Sequence, residues 1–256
     1  MGTRTSVDVR VIAKGGKYLG NDIGGALVRV EDVQTGELLA SGNTDGGSGA
    51  QNLMDICVTR SEVLTVEQAS VFSTTLDLGE PRLVRITATG PLAAQGAANT
   101  VSQTQWVYPG RDITGGASGG GFLLEIPGLI VQVINPPTHC MPASNPGTLQ
   151  IRANVTMMCG CPISPDTDWK PEEFEVTAVV RGVEYCEEFP LAFDAEAPYS
   201  MPSQFVHDWQ APPNTSGQLA IYEITVSAFQ QATGNTGVDR ATIIIPVPPT
   251  TGNSQS

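Results

Sequence analysis

Apolar and polar positions alternate with period two along much of this chain, and helical spacing is rare. From Val7 the run VDVRVIAK sends alternate side chains to opposite faces, the mark of a strand buried on one side. A Gly-rich stretch, GGKYLGNDIGG, breaks it. ALVRVEDV alternates again, with Ala26, Val28 and Val30 opposite Leu27, Arg29 and Glu31, and ends at the turn QTGE; LLASGNTDGGSG then closes a hairpin. FSTTLDLGEP, RLVRITATGP and TVSQTQWVYPG give three further strands. Only SEVLTVEQAS, residues 61 to 70, has the pattern of a helical turn or two.

The second half continues in the same way. FLLEIPGLIVQVINPP, TLQIRANVTMMCG, FEVTAVVRGVEYCEEFPLAF, LAIYEITVSAFQ and VDRATIIIPVPP are rich in Val, Ile, Thr and aromatics and are separated by Pro, Asn, Gly and Asp clusters. Tyr222, Ile224, Val226 and Ala228 alternate cleanly, and GNTGVDRATIIIPV returns as the hairpin partner of that run. Many short strands joined by turns read as antiparallel sandwiches. The fold class expected is all-β, in two antiparallel β-sandwich domains.

GGASGGG, residues 115 to 121, is the expected connection, since Gly/Ser composition has no core to offer. A phosphate loop would need a Gly-Lys-Ser/Thr and a following helix start, and neither is present. The expected domains are therefore 1–114 and 122–256.

Composition agrees with this picture. Charged residues make up 15% of the 256, while Gly numbers 28 and Pro 19, which suits short strands and tight turns. The net charge of -13 is uneven: nine Lys/Arg face twelve Asp/Glu up to Gly121, a net of -3, and four face fourteen beyond it, a net of -10. So acidic a surface disfavours nucleic acid and anionic membranes as partners. No stretch approaches the roughly twenty apolar residues of a spanning helix, and Met1 to Asp8 lacks the pattern of a secretory signal, so a soluble chain is expected.

Two of the five cysteines stand one glycine apart, in MMCGCPI. On a strand, Cys159 and Cys161 would face the same way and could serve one metal ion or one partner cysteine, with Cys140 beside His139 and Cys186 within the same half of the chain. The wrapping spacing C-x2-C is missing and Pro162 restricts the loop, so a disulfide from Cys159 or Cys161 to Cys186 or Cys140, or reduced buried thiols, is expected ahead of metal. Cys57 reads as a small core residue.

Hydrolytic chemistry has little to stand on. The two histidines, His139 and His207, lie near no G-x-S-x-G elbow, and the paired carboxylates read as a solvated acidic face. In PDTDWKPEE, Asp166, Asp168 and Glu172 are hard oxygen ligands on one loop and the candidates for calcium, although the D-x-[DN]-x-[DN]-G spacing is absent. No cofactor is expected. Trp106 with Tyr108, Trp169 and Trp209 are candidates for stacking on a sugar.

YEITVSAFQ followed by GNTGVDRATIIIPV resembles the last two strands of bacterial immunoglobulin-like domains. GGALVRVEDVQTGELLASGNTD resembles carboxypeptidase-regulatory-like and Cna-B-type sandwiches, with their G-A-x-V-x-V strand, T-G turn and T-D-x-x-G corner. The immunoglobulin cysteine pair is not reproduced, because the YEITVSAFQ run has none. The resemblance implies no catalytic residues. It implies a structural or adhesive subunit of a cell-surface or extracellular assembly, with other protein subunits as partners. The alternatives are a virion or tail-like particle component assembled in the cytoplasm, and an accessory carbohydrate- or protein-binding module. VDVRVIAK and ATIIIPV, near the two ends, are the edges expected to accept a neighbour's strand.

Overall fold

The protein is described here from a computed structural model, over residues 2–49, 69–115, 121–145, 147–198 and 201–247. It is all-β: among these residues there are fifteen strands, a few short 3-10 turns and no α-helix. The expected helical segment at 61–70 lies almost wholly outside them, as does Cys57. Two compact units form, one of Met1–Ile130 with Thr156–Cys161, the other of Val131–Val155 with Pro162–Ser256.

The first unit contains β1 (Thr3–Ala13), β2 (Leu27–Asp32), β3 (Leu38–Asn43), β4 (Phe72–Leu78), β5 (Arg82–Gly90), β6 (Asn99–Val107) and β7 (Phe122–Ile126). They make two sheets, ordered β4-β1-β7 and β3-β2-β5-β6. Period two is obeyed as the sequence dictates: Val7, Val9, Val11 and Ala13 of β1 are buried, as are Ala26, Val28 and Val30 around β2 and Val84, Ile86 and Ala88 of β5. The turn at QTGE is built on Asp32, whose Oδ1 accepts the N–H groups of Gln34 and Thr35, both at 2.8 Å, while Gly36 takes the positive φ that closes it.

Two expectations are corrected here. β1 is not an edge: it is flanked by β4, antiparallel, and by β7, parallel. A strand whose alternate side chains from Thr5 to Ala13 are all buried is best covered in the middle of a sheet, where both rows of its backbone groups are paired. The boundary also moves. Residues 116–120 of the expected connection lie outside the described residues, and β7, which follows them, belongs to the first unit through its pairing with β1. Pro127 and Gly128 split the apolar run that reads as one strand into β7 and a second strand, because proline cannot donate to a ladder.

The second unit contains β8 (Leu129–Asn135), β9 (Thr148–Met157), β10 (Phe174–Gly182), β11 (Tyr185–Pro190), β12 (Ala192–Phe193), β13 (Gln204–Gln210), β14 (Ala220–Gln230) and β15 (Asn235–Ile245), of which Leu129, Ile130 and the last two residues of β9 group with the first unit. The sheet orders are β12-β13-β9-β8 and β11-β10-β14-β15. Lettered along the chain from A to G, these are D-E-B-A and C′-C-F-G, the strand order of an immunoglobulin-like sandwich. The last two strands are the expected hairpin, paired from Gln230 with Asn235 to Ala220 with Ile245. Tyr222, Ile224, Val226 and Ala228 point into the core beside Val176, Ala178 and Val180 of β10.

Candidate interaction edge

The strand at the end of a sheet has one row of N–H and C=O groups with no strand partner, and proteins normally blunt such rows with charges, prolines, bulges or covering segments. β11 follows this rule, carrying Glu187, Glu188 and Pro190 in six residues. β15 follows it by cover: Cys140 donates its N–H to the Thr242 carbonyl at 3.2 Å and accepts the N–H of Ile244 at 2.8 Å. ATIIIPV, expected as an open edge, is thus partly occupied by its own chain.

β6 does not follow it. It stands at the end of its sheet, nine residues long, with the sequence NTVSQTQWV: no charge, no proline and no register shift against β5. Val107 is buried and Val101 half-buried, while the other seven residues are exposed. Gln103 and Gln105 lie opposite Ile86 and Val84, so they stand on the core-facing side of the sheet and are nevertheless in solvent. Thr104 and Trp106 occupy the other face. Thr and Gln side chains on both faces keep the strand compatible with water, and among the described residues no strand pairs with its outer backbone row.

The aromatic candidates divide sharply. Trp106 and Tyr108, at the end of β6, are 47% and 54% exposed, whereas Trp169 and Trp209 are 5% and 1% exposed and belong to the core. Trp209 packs with Tyr185 and Tyr222, each ring pair tilted or edge-on, which joins β13 to β11 and β14. His207 stacks on Phe189 with ring centroids 4.1 Å apart, and the His139 backbone N–H donates to the Thr242 hydroxyl.

The carboxylates of PDTDWKPEE do not converge. Asp166, Asp168 and Glu172 are all exposed, and Lys170 turns back to the Pro165 carbonyl at 2.6 Å. Among the described residues no three His, Cys, Asp or Glu side chains are placed to hold a metal ion.

Among the described residues one pair of cysteines comes together, Cys159 and Cys161, with their sulfurs 2.6 Å apart. Cys140 lies against the edge of β15 and Cys186 opposite Arg181 on β11, and all four are thiols. The hydrogen bond shared between the two sulfurs draws the Cys159 thiol down to about 7, helped by the backbone of Lys17, while the same bond and burial push Cys161 up.

Two ionic sites escape a reading by periodicity. Arg82 donates to Asp32 at 2.8 Å, pinning the β2–β3 turn to β5, and Arg152 reaches Asp194 at 2.7 Å and also the side-chain amide oxygen of Gln204. The polar face of each strand predicts exposure, and only cross-strand pairing shows which charges meet. Arg152, Gln150, Asp194, Gln204 and Met201 line an open hollow of about 550 Å³ in the second unit.

No family model and no curated protein matches this chain. Among solved structures it is similar to fibronectin(III)-like modules of Clostridium thermocellum CbhA, 12% identical over 95% of this chain and 94% of that one, with a TM-score of 0.26.

Proposed function

We propose that this protein is a non-catalytic structural or adhesive subunit of a cell-surface or extracellular assembly, and that it binds its neighbours by strand addition at β6. The observation that carries the proposal is the nine-residue, uncharged, proline-free strand β6, whose outer edge has no strand partner among the described residues. An added strand would satisfy its backbone row, and Trp106 and Tyr108 would supply apolar area beside the seam. The acidic surface keeps the remainder of the molecule repulsive toward copies of itself, so association is directed to the neutral strip. The first half's likeness to Cna-B-type sandwiches supports the same reading.

Sedimentation over a range of concentrations tests it. The protein is expected to associate, and Gln103→Lys with Gln105→Lys, which puts charge on the inward side of the edge, is expected to abolish that association while leaving the far-ultraviolet spectrum unchanged. Identical sedimentation of both proteins would overturn the proposal.

A second reading rests on the exposure of Trp106 and Tyr108, which as a pair of rings could stack on a sugar as an accessory carbohydrate-binding module. Quenching of tryptophan fluorescence by polysaccharide, lost in Trp106→Ala, would favour this over assembly.

A further inference from the structure

The turn after β9 holds two sulfurs together with an economy that packing alone does not require. Met157 donates its N–H to the Cys161 carbonyl at 3.1 Å, and Gly160 donates to the Met157 carbonyl at 2.8 Å, so the chain doubles back within five residues. Gly160 makes this available: its φ is +77°, a region that side chains disfavour, and a Cβ there would stand 3.3 Å from Ile23 Cδ1. Cys159 and Cys161 are thereby turned to the same side with their sulfurs 2.6 Å apart. The loop Lys14–Gly16, closed by the bond from Ala13 N–H to the Lys17 carbonyl, walls the pair on one side, with Gly16 against the Cys159 sulfur. Among the described residues no third His, Cys, Asp or Glu joins the pair, as a metal centre would need.

We propose that Cys159-Gly160-Cys161 is a two-electron thiol–disulfide site, which closes to a disulfide within the turn by exchange with a small-molecule disulfide and reopens with a thiol. Cys159 is 1% exposed and Cys161 is half-buried, which orders the steps. The accessible Cys161 sulfur attacks one sulfur of the disulfide RSSR as its proton passes to the Cys159 thiolate beside it. That S–S bond breaks, RS⁻ leaves and takes up that proton from Cys159, and a mixed disulfide remains on Cys161. The Cys159 thiolate then attacks the Cys161 sulfur, the mixed bond breaks, and the second RS⁻ departs. Two protein thiols have been oxidised and one RSSR reduced to two RSH. The Cys159 thiol, brought down to about 7 by Cys161 and by the Lys17 backbone, is suited to the second, resolving attack.

The test uses the full chain carrying Cys57→Ser, Cys140→Ser and Cys186→Ser, equilibrated with oxidised glutathione, alkylated and measured as intact mass and as peptides. The expected result is loss of both alkylatable thiols, with the mass of one internal disulfide in the peptide that contains both cysteines. Adding Cys159→Ser is expected to trap one glutathione on Cys161, and adding Cys161→Ser to leave Cys159 largely unmodified. Phenylarsine oxide, which bridges paired thiols, is expected to be retained by the reduced protein and lost from either single variant. Circular dichroism confirms that each variant folds. Full alkylation of both cysteines after oxidised glutathione, or a wild-type chain in which either is joined to Cys140 or Cys186 instead, would overturn the proposal. Neither result bears on the β6 edge, which contains no cysteine.

Discussion

The indole Nε1 of Trp209 donates to the phenolic oxygen of Tyr185 at 2.8 Å, and that oxygen in turn donates to the Glu187 carboxylate. A large core residue on β13 is thus tied, through one polar atom, to the strand that ends the opposite sheet. The arrangement satisfies the buried N–H of an otherwise apolar side chain.

Tyr185→Phe removes the acceptor and keeps the ring, and is expected to cost about 1 kcal/mol. Trp209→Ala empties a core position and is expected to cost about 3–5 kcal/mol. Urea unfolding followed by circular dichroism measures both, and equal losses would show that the ring packing does not carry the difference.

Acid sensitivity is expected in the first unit. Arg82, with the N–H groups of Thr35 and Gln34, holds the Asp32 carboxyl at about 2, below its ordinary 3.8. A lowered pKa means stability that is present above about pH 4 and is lost as pH falls through about 2. Wild type and Asp32→Asn should therefore differ in urea midpoint at neutral pH and converge by pH 2. A constant difference across that range would refute this assignment.

Arg152 is expected to matter more than a surface arginine. Its guanidinium serves Asp194 at 2.7 Å, Gln150 at 2.8 Å and Gln204, whose side chain is almost wholly buried. Arg152→Met would leave these acceptors without their donor, at a cost of about 2 kcal/mol. Asp194→Leu added to it is expected to recover part of the loss, and strict additivity of the two would show that they do not interact.

What the sequence determined is the set of strands and the face each buries. VDVRVIAK, ALVRVEDV and YEITVSAFQ each show core positions at every second residue because a pleated backbone allows no other period, and YEITVSAFQ with GNTGVDRATIIIPV declared a hairpin because a short Gly-containing turn leaves the returning strand only one neighbour. The tertiary structure decided which strands lie side by side. Alternation is identical at the centre and at the edge of a sheet, so nothing local in VDVRVIAK shows that β4 and β7 flank it, or in TVSQTQWV that no described strand pairs with its outer row. The same holds for Trp106 in solvent and Trp209 in the core, and for Cys159, whose partner is Cys161 because a glycine at positive φ turns the chain back on itself. Hydrogen-bond partners and depth of burial come from pairings distant in the chain, and the period of a strand records its faces and not its neighbours.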